Sequence, residues 1–263
     1  MHDDFDRLVA RAADPNLIPG IYNYCDRRCP RCPFTERCLS FLENRGVETQ
    51  DGSVSCDAAL AEALERSIQR TIEFLKEAAE REGFELSAVL AGGQIAANPP
   101  RHQRDALVVR AREYAEMTYP VMRALEPVLA LRGDAGLIDA ADAISWLSTM
   151  IAPKVFRAIA GAADQRDDST DVQSDANGSV KIARLAIAES RRAWGALMEA
   201  GKATADGVPA RAVAMLEELD AALSVRFPRA MDFVRPGFDE PAIAAGARAR
   251  RPPLEPRDPS AAR

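Results

Sequence analysis

The chain has 263 residues, 47% of them apolar, with 34 basic and 40 acidic side chains that leave a formal charge of -6. Apolar content on that scale can bury a core and excludes a chain disordered throughout, while the mixed, net acidic charge lacks the concentrated basic face of a general nucleic-acid surface, so nucleic acid is not a favoured partner. Aromatic residues make up only 6%, and Ala, Leu, Glu and Arg abound; these unbranched side chains lose little rotamer freedom in a helix, so the expected class is all-α.

Taken in chain order, the opening Met1-His2-Asp3-Asp4-Phe5-Asp6 is acidic and lacks the basic-then-apolar order of an export signal, which predicts a cytoplasmic protein. Residues 1–56 read as a short helix followed by a loop-rich cysteine module. Asp57 can cap a helix in which Leu60, Leu64, Ile68, Ile72, Leu75 and Ala79 recur at helical spacing, with Gly83 ending it. A helix over 103–131 runs through Leu107, Tyr114, Val121 and Val128; Pro120 and Pro127 should kink or split it, and Gly133 closes it.

A third helix, over 136–163, carries Ile144, Leu147, Ile151, Val155 and Ile159 on one face and Pro153 in its interior. The polar stretch 164–179 reads as a surface loop. Helices over 179–201 and Pro209–Arg226 follow, the latter with proline in its first turn and Val213, Leu216, Leu219 and Leu223 along one face. The expected organisation is a metal-binding module at 1–56, a kinked helical bundle at 57–235 and a disordered tail at 236–263. Ala143–Pro153, the most apolar stretch, is far too short for a membrane span, so no membrane role is expected.

Cys25, Cys29, Cys32 and Cys38 occur in the spacing C-x3-C-x2-C-x5-C, the most specific pattern in the chain. Thiolates crowded this closely repel one another and are soft ligands, which points to a shared metal centre. An odd total of five cysteines disfavours a disulfide framework and leaves Cys56 as a spare thiol. Pro30 and Pro33 follow ligands directly and forbid a continuous helix, so the segment should wrap around the centre as a loop. A [4Fe-4S] cluster suits such a wrap because its corners surround a body much larger than one ion. Structural Zn more often takes paired C-x2-C knuckles, and here only Cys29 to Cys32 forms one; Zn stays the alternative cofactor.

The stretch Gly20-Ile21-Tyr22-Asn23-Tyr24-Cys25-Asp26, continued by Cys29, Cys32, Phe34-Thr35 and Arg37-Cys38, resembles the opening of an uncharacterised bacterial family with a GIYNYCD-x2-C-x2-C-x-FT-x-RC signature and a helical remainder. An Ile144…Trp146…Lys154 pattern and the segment Asp175–Lys181 belong to the same resemblance, which implies one architecture and no assigned activity. Cys25, Cys29 and Cys32 also have the spacing of radical SAM enzymes, but Arg31 stands where those carry an aromatic residue, Cys38 would fill the open iron, and the strands of their barrel are not expected here.

Histidine chemistry is poorly supplied by His2 and His102, and no Glu-x-x-His pair suits a di-iron bundle. Asp175-Ala176-Asn177-Gly178 lacks the acidic twelfth position of a calcium loop, Arg184 standing there, and reads as a capped helix start. Lys154 and Glu189 share helix faces with apolar residues and are candidate cofactor-pocket residues, or else structural ion-pair partners. Trp146 and Trp194 read as core aromatics. Three functions remain open: an iron–sulfur protein in redox sensing or electron transfer with an unknown redox partner; a zinc-stapled scaffold that binds a protein or small molecule; and a cluster-dependent enzyme.

Overall fold

A computed structural model describes residues 10–44, 57–83, 101–163, 171–200 and 207–239. Every regular element among them is helical, as the composition implies. The α-helices are α1 (Leu39–Asn44), α2 (Asp57–Glu82), α3 (Ala106–Arg132), α4 (Ala135–Ala163), α5 (Asp175–Glu199) and α6 (Val208–Arg226). Helices α3 to α6 form the bundle: each packs against the next in sequence, and α6 returns to α3.

The bundle's core is one continuous cluster. Ile144, Leu147, Ile151, Val155 and Ile159 are buried along α4 as their spacing predicts, and Leu216, Leu219 and Leu223 are buried on α6. Trp194 is fully buried and its indole donates to the Tyr114 hydroxyl at 3.1 Å, which satisfies a polar group that would otherwise be stranded in the core. Burial raises the Tyr114 pKa, opposed by the polar groups around its hydroxyl, the Trp194 indole N–H among them.

Pro120, Pro127 and Pro153 sit inside α3 and α4 without splitting them. Each removes one ladder donor, and all three lie on exposed positions of their helices. Glycine ends α3 as expected: Gly133 has φ 67°, and its N–H reaches the Leu129 and Ala130 carbonyls.

Three expectations need correction. Helix α5 starts at Asp175, not 179, capped by Ser174, whose hydroxyl accepts the Asn177 N–H at 3.2 Å. Trp146 is 40% exposed and lies outside the core. On α2, Leu64, Ile68, Ile72 and Leu75 are exposed, although Ala79 is buried; the spacing predicted the helix correctly but not the burial of its apolar face. Residues 236–239 are ordered against the cysteine module, whereas the rest of the tail and Cys56 lie outside the described residues. No helix among the described residues is long and apolar enough to cross a membrane.

Candidate metal centre

The cysteine segment is a chain of tight turns. Ile21–Asn23, Cys29–Arg31 and Thr35–Arg37 each form a single 3-10 turn. Pro30, with φ preset, lies in the first positions of the second turn, and Cys32 closes it by donating its N–H to the Cys29 carbonyl at 3.0 Å. Cys38 closes the third turn on Thr35 in the same way, at 3.2 Å. The Ile18 N–H donates to the Arg37 carbonyl at 2.9 Å and draws the segment's two ends together. The prolines thus do what the sequence predicts: they break a would-be helix into turns that present side chains inward.

All four cysteines line one narrow cleft, walled on its apolar side by Ile21, Phe41 and Phe238, with a cavity of about 20 Å³. The four thiols are half-buried and form no disulfide. Among the described residues no three His, Cys, Asp or Glu side chains are grouped so that they could hold a metal ion as they stand. A backbone amide also reaches one of the thiols. Phe34 donates its N–H to Cys32 Sγ at 3.4 Å. At Cys25 burial pushes the thiol pKa up, the Arg27 backbone N–H pulls against that rise, and the Asp26 carboxylate adds to it.

The module is pinned to α4 and α5 by a row of polar contacts. Lys154 Nζ donates to the Asn23 carbonyl at 2.6 Å, and Arg157 bridges Asn23 Oδ1 at 3.3 Å and both oxygens of Asp175 at 2.6 and 2.7 Å. Tyr24 donates its hydroxyl to Asp175 at 2.8 Å. Arg28, with only 10% of its side chain exposed, forks between Asp142 and Glu189, the latter at 3.1 Å. Arg31 pairs with Asp139, and the Trp146 indole donates to the Asp26 carbonyl at 2.6 Å. Burial, then the neighbouring Arg157, lowers the Lys154 pKa, while Cys25 works the other way.

Rings and a glycine complete the seat. Tyr24 packs on Phe233 at 4.6 Å between centroids, and Phe34 meets Phe238 edge-on at 5.1 Å. Gly178 lies within α5 because Tyr24 and Phe233 occupy the space where a side chain would begin: a Cβ there would stand 2.7 Å from Phe233 Cζ and 2.8 Å from Tyr24 Cδ1. Gly237 likewise lies against Ile18 and Ile21.

The structure therefore brings together Cys25, Cys29, Cys32 and Cys38. Lys154 and Glu189 join them only from outside, as anchors of the Asn23 carbonyl and of Arg28; neither lines the cleft. Sequence reasoning missed Trp146, Arg157, Phe233 and Phe238 as parts of the site. One signal pointed their way: the two helix segments singled out by the resemblance, around Trp146 to Lys154 and Asp175 to Lys181, are those on which the module rests. A second cleft, lined by His102, Arg104, Asp105, Ile159 and Arg226 among others, holds none of the predicted site residues. No family model matches the chain, and no curated protein or solved structure is significantly similar to it.

Proposed function

We propose that Cys25, Cys29, Cys32 and Cys38 hold a [4Fe-4S]-type cluster that serves redox sensing or electron transfer in a cytoplasmic protein of the bacterial group its cysteine signature resembles. The observation that carries this reading is the lining of one partly apolar cleft by four half-buried thiols. A cubane takes one thiolate at each of four corners, and the C-x3-C-x2-C-x5-C spacing lacks the paired C-x2-C knuckles usual for structural zinc. The Phe34 amide directed at Cys32 is also the kind of donor that sets a cluster's potential. The bound centre would exchange single electrons with a partner redox protein; the chain's part is to hold the sulfurs, cover one side with Phe41 and Phe238, and fix the module on α4 and α5.

The zinc-stapled scaffold is favoured by one feature, the density of anchors that tie the module to the bundle, which suits a structural role equally well. Anaerobic purification separates the two. The expected product is brown, with iron and acid-labile sulfide in equal amounts, and replacing any of the four cysteines by serine strips most of the iron while Cys56→Ser retains it. A colourless protein with stoichiometric zinc rejects the cluster.

A further inference from the structure

The second turn of the cysteine segment has the sequence Cys29-Pro30-Arg31-Cys32, and both of its thiols line the cleft. Cys32 donates its N–H to the Cys29 carbonyl at 3.0 Å, which makes the two cysteines the first and last residues of one 3-10 turn. Such a turn completes a revolution in three residues, so the side chains at its ends eclipse, and three rises of about 2.0 Å leave about 6 Å between their Cα atoms. A disulfide needs about 4.4–6.8 Å. A bridge between Cys29 and Cys32 therefore asks for side-chain rotation and no backbone movement.

No other pair among the four shares that relation. Cys25 is parted from Cys29 by Arg27, whose backbone sits in the left-handed region with φ 55°, and the Cys25 thiol donates to the Tyr22 carbonyl at 3.7 Å. Cys38 closes a separate turn on Thr35. The Cys29–Cys32 turn is also held from outside itself, because Pro30 presets φ, Arg31 pairs with Asp139 of α4 at 2.9 Å, and Arg28, the residue before the turn, is pinned to Asp142 and Glu189.

We propose that Cys29 and Cys32 are a redox dithiol that closes to a disulfide when the four thiols hold no metal, with a low-molecular-weight disulfide as oxidant. One Sγ attacks the S–S bond of the oxidant and displaces one of its thiols; the other Sγ then attacks the mixed disulfide and displaces the second. Both thiol protons leave with the departing thiols, two electrons pass to the oxidant, and the turn gains one S–S bond. The bridge does not depend on the nature of the centre, but its consequence rests on the metal reading. A closed bridge withholds two of the four ligands, so the oxidised module takes up no centre until a thiol reduces it.

The test uses the full-length chain, stripped of metal with a chelator, reduced, and then held in glutathione buffers of rising disulfide content. Trypsin puts each of the five cysteines on a separate peptide by cutting after Arg27, Arg28, Arg31, Arg37 and Arg45, so mass spectrometry reads the pairing directly. Peptide 29–31 linked to peptide 32–37 should outweigh every other pairing at least about fivefold, and dithiothreitol should reverse the link. Closure against glutathione should be at least about tenfold more favourable in the folded chain than in urea, because the turn aligns the sulfurs beforehand. Equal closure in both states, pairing spread over Cys25 or Cys38, or glutathione adducts alone overturn the inference. Metal uptake by the oxidised chain separates this inference from the metal reading. Uptake of iron or zinc that returns only after reduction sustains both, whereas the mapped bridge with undiminished uptake sustains the dithiol and removes Cys29 and Cys32 from the metal centre.

Discussion

The bundle and the cysteine module are held together by opposite means. In α3 to α6, Ile144, Ile151, Val155, Trp194, Leu216 and Leu223 are completely buried in a single cluster. Among the module's described residues only Leu17, Ile18 and Ile21 are buried, and its order depends on turns, ion pairs and two ring contacts with the 230–239 segment. One part can persist by hydrophobic burial alone; the other needs a platform and, in our reading, a bound centre. The difference implies a one-way dependence of the module on the bundle.

That dependence can be broken from either end. Ile151→Ala, in the fully buried face of α4, should cost about 2–5 kcal/mol by cavity formation and lost transfer energy. Denaturant melts should show the bundle weakened and the cysteine centre lost with it. Removing the metal with a chelator should have the converse, limited effect: amide exchange rises over residues 18–44 while helical circular dichroism stays nearly intact. If metal removal instead melts the helices, the two regions are one cooperative unit and the comparison fails.

A smaller perturbation acts at the contact itself. Gly178→Ala places a methyl group against Tyr24 and Phe233, and overpacking of this kind costs about 1–3 kcal/mol. On an otherwise open helix the same change would stabilise by roughly 0.5–1 kcal/mol, because glycine is a poor helix former. The sign therefore decides. A less stable protein with a loosened module confirms that Tyr24 is seated on α5; a more stable one, with metal content unchanged, removes that seat from the account.

Gly178 also shows where sequence reading stops. The polarity of 164–179 reads as loop and puts the start of α5 four residues late; the glycine at 178 is there for a ring that arrives from residue 24. The helix stops at Gly83 and Gly133 were legible because only the local backbone matters to them, and both residues adopt positive φ. The core face of α4 was legible because its period is regular. The four cysteines were legible as a group from spacing, but their cleft also needs Phe41 and Phe238, and nothing near Phe238 in sequence announces that it packs against Phe34. Trp146 was read as core on residue type alone, although it follows a different direction around α4 from Ile144, Leu147 and Ile151. On α2 the periodicity was correct and burial did not follow from it, since an amphipathic pattern says which residues share a face and not whether anything covers them.

The mildest test concerns the 233–239 segment, which carries Phe238 into the cleft wall. Asp239 fastens it: its carboxylate accepts from Lys181 at 2.7 Å and from Arg235 at 2.8 Å, and Lys181 also donates to the Phe233 carbonyl at 2.6 Å. Burial by itself would raise the Asp239 pKa, yet the bonds from Arg235 and Lys181 outweigh it and hold the carboxyl well below the usual range. A depressed pKa in the folded state means that the contribution is fully present above the unfolded value, about 3.9, and is lost as the pH falls below it. Asp239→Asn should therefore loosen the segment by about 1 kcal/mol at pH 7, the scale of a partly exposed ion pair. Read as amide exchange at Phe238 and Asp239, the gap between wild type and variant should shrink steadily below pH 4 and stay constant between pH 5 and 8. A gap that persists undiminished at pH 2.5 would show that packing of Phe238 and Gly237, and not the charge on Asp239, fastens the bundle's C-terminal segment to the cysteine module.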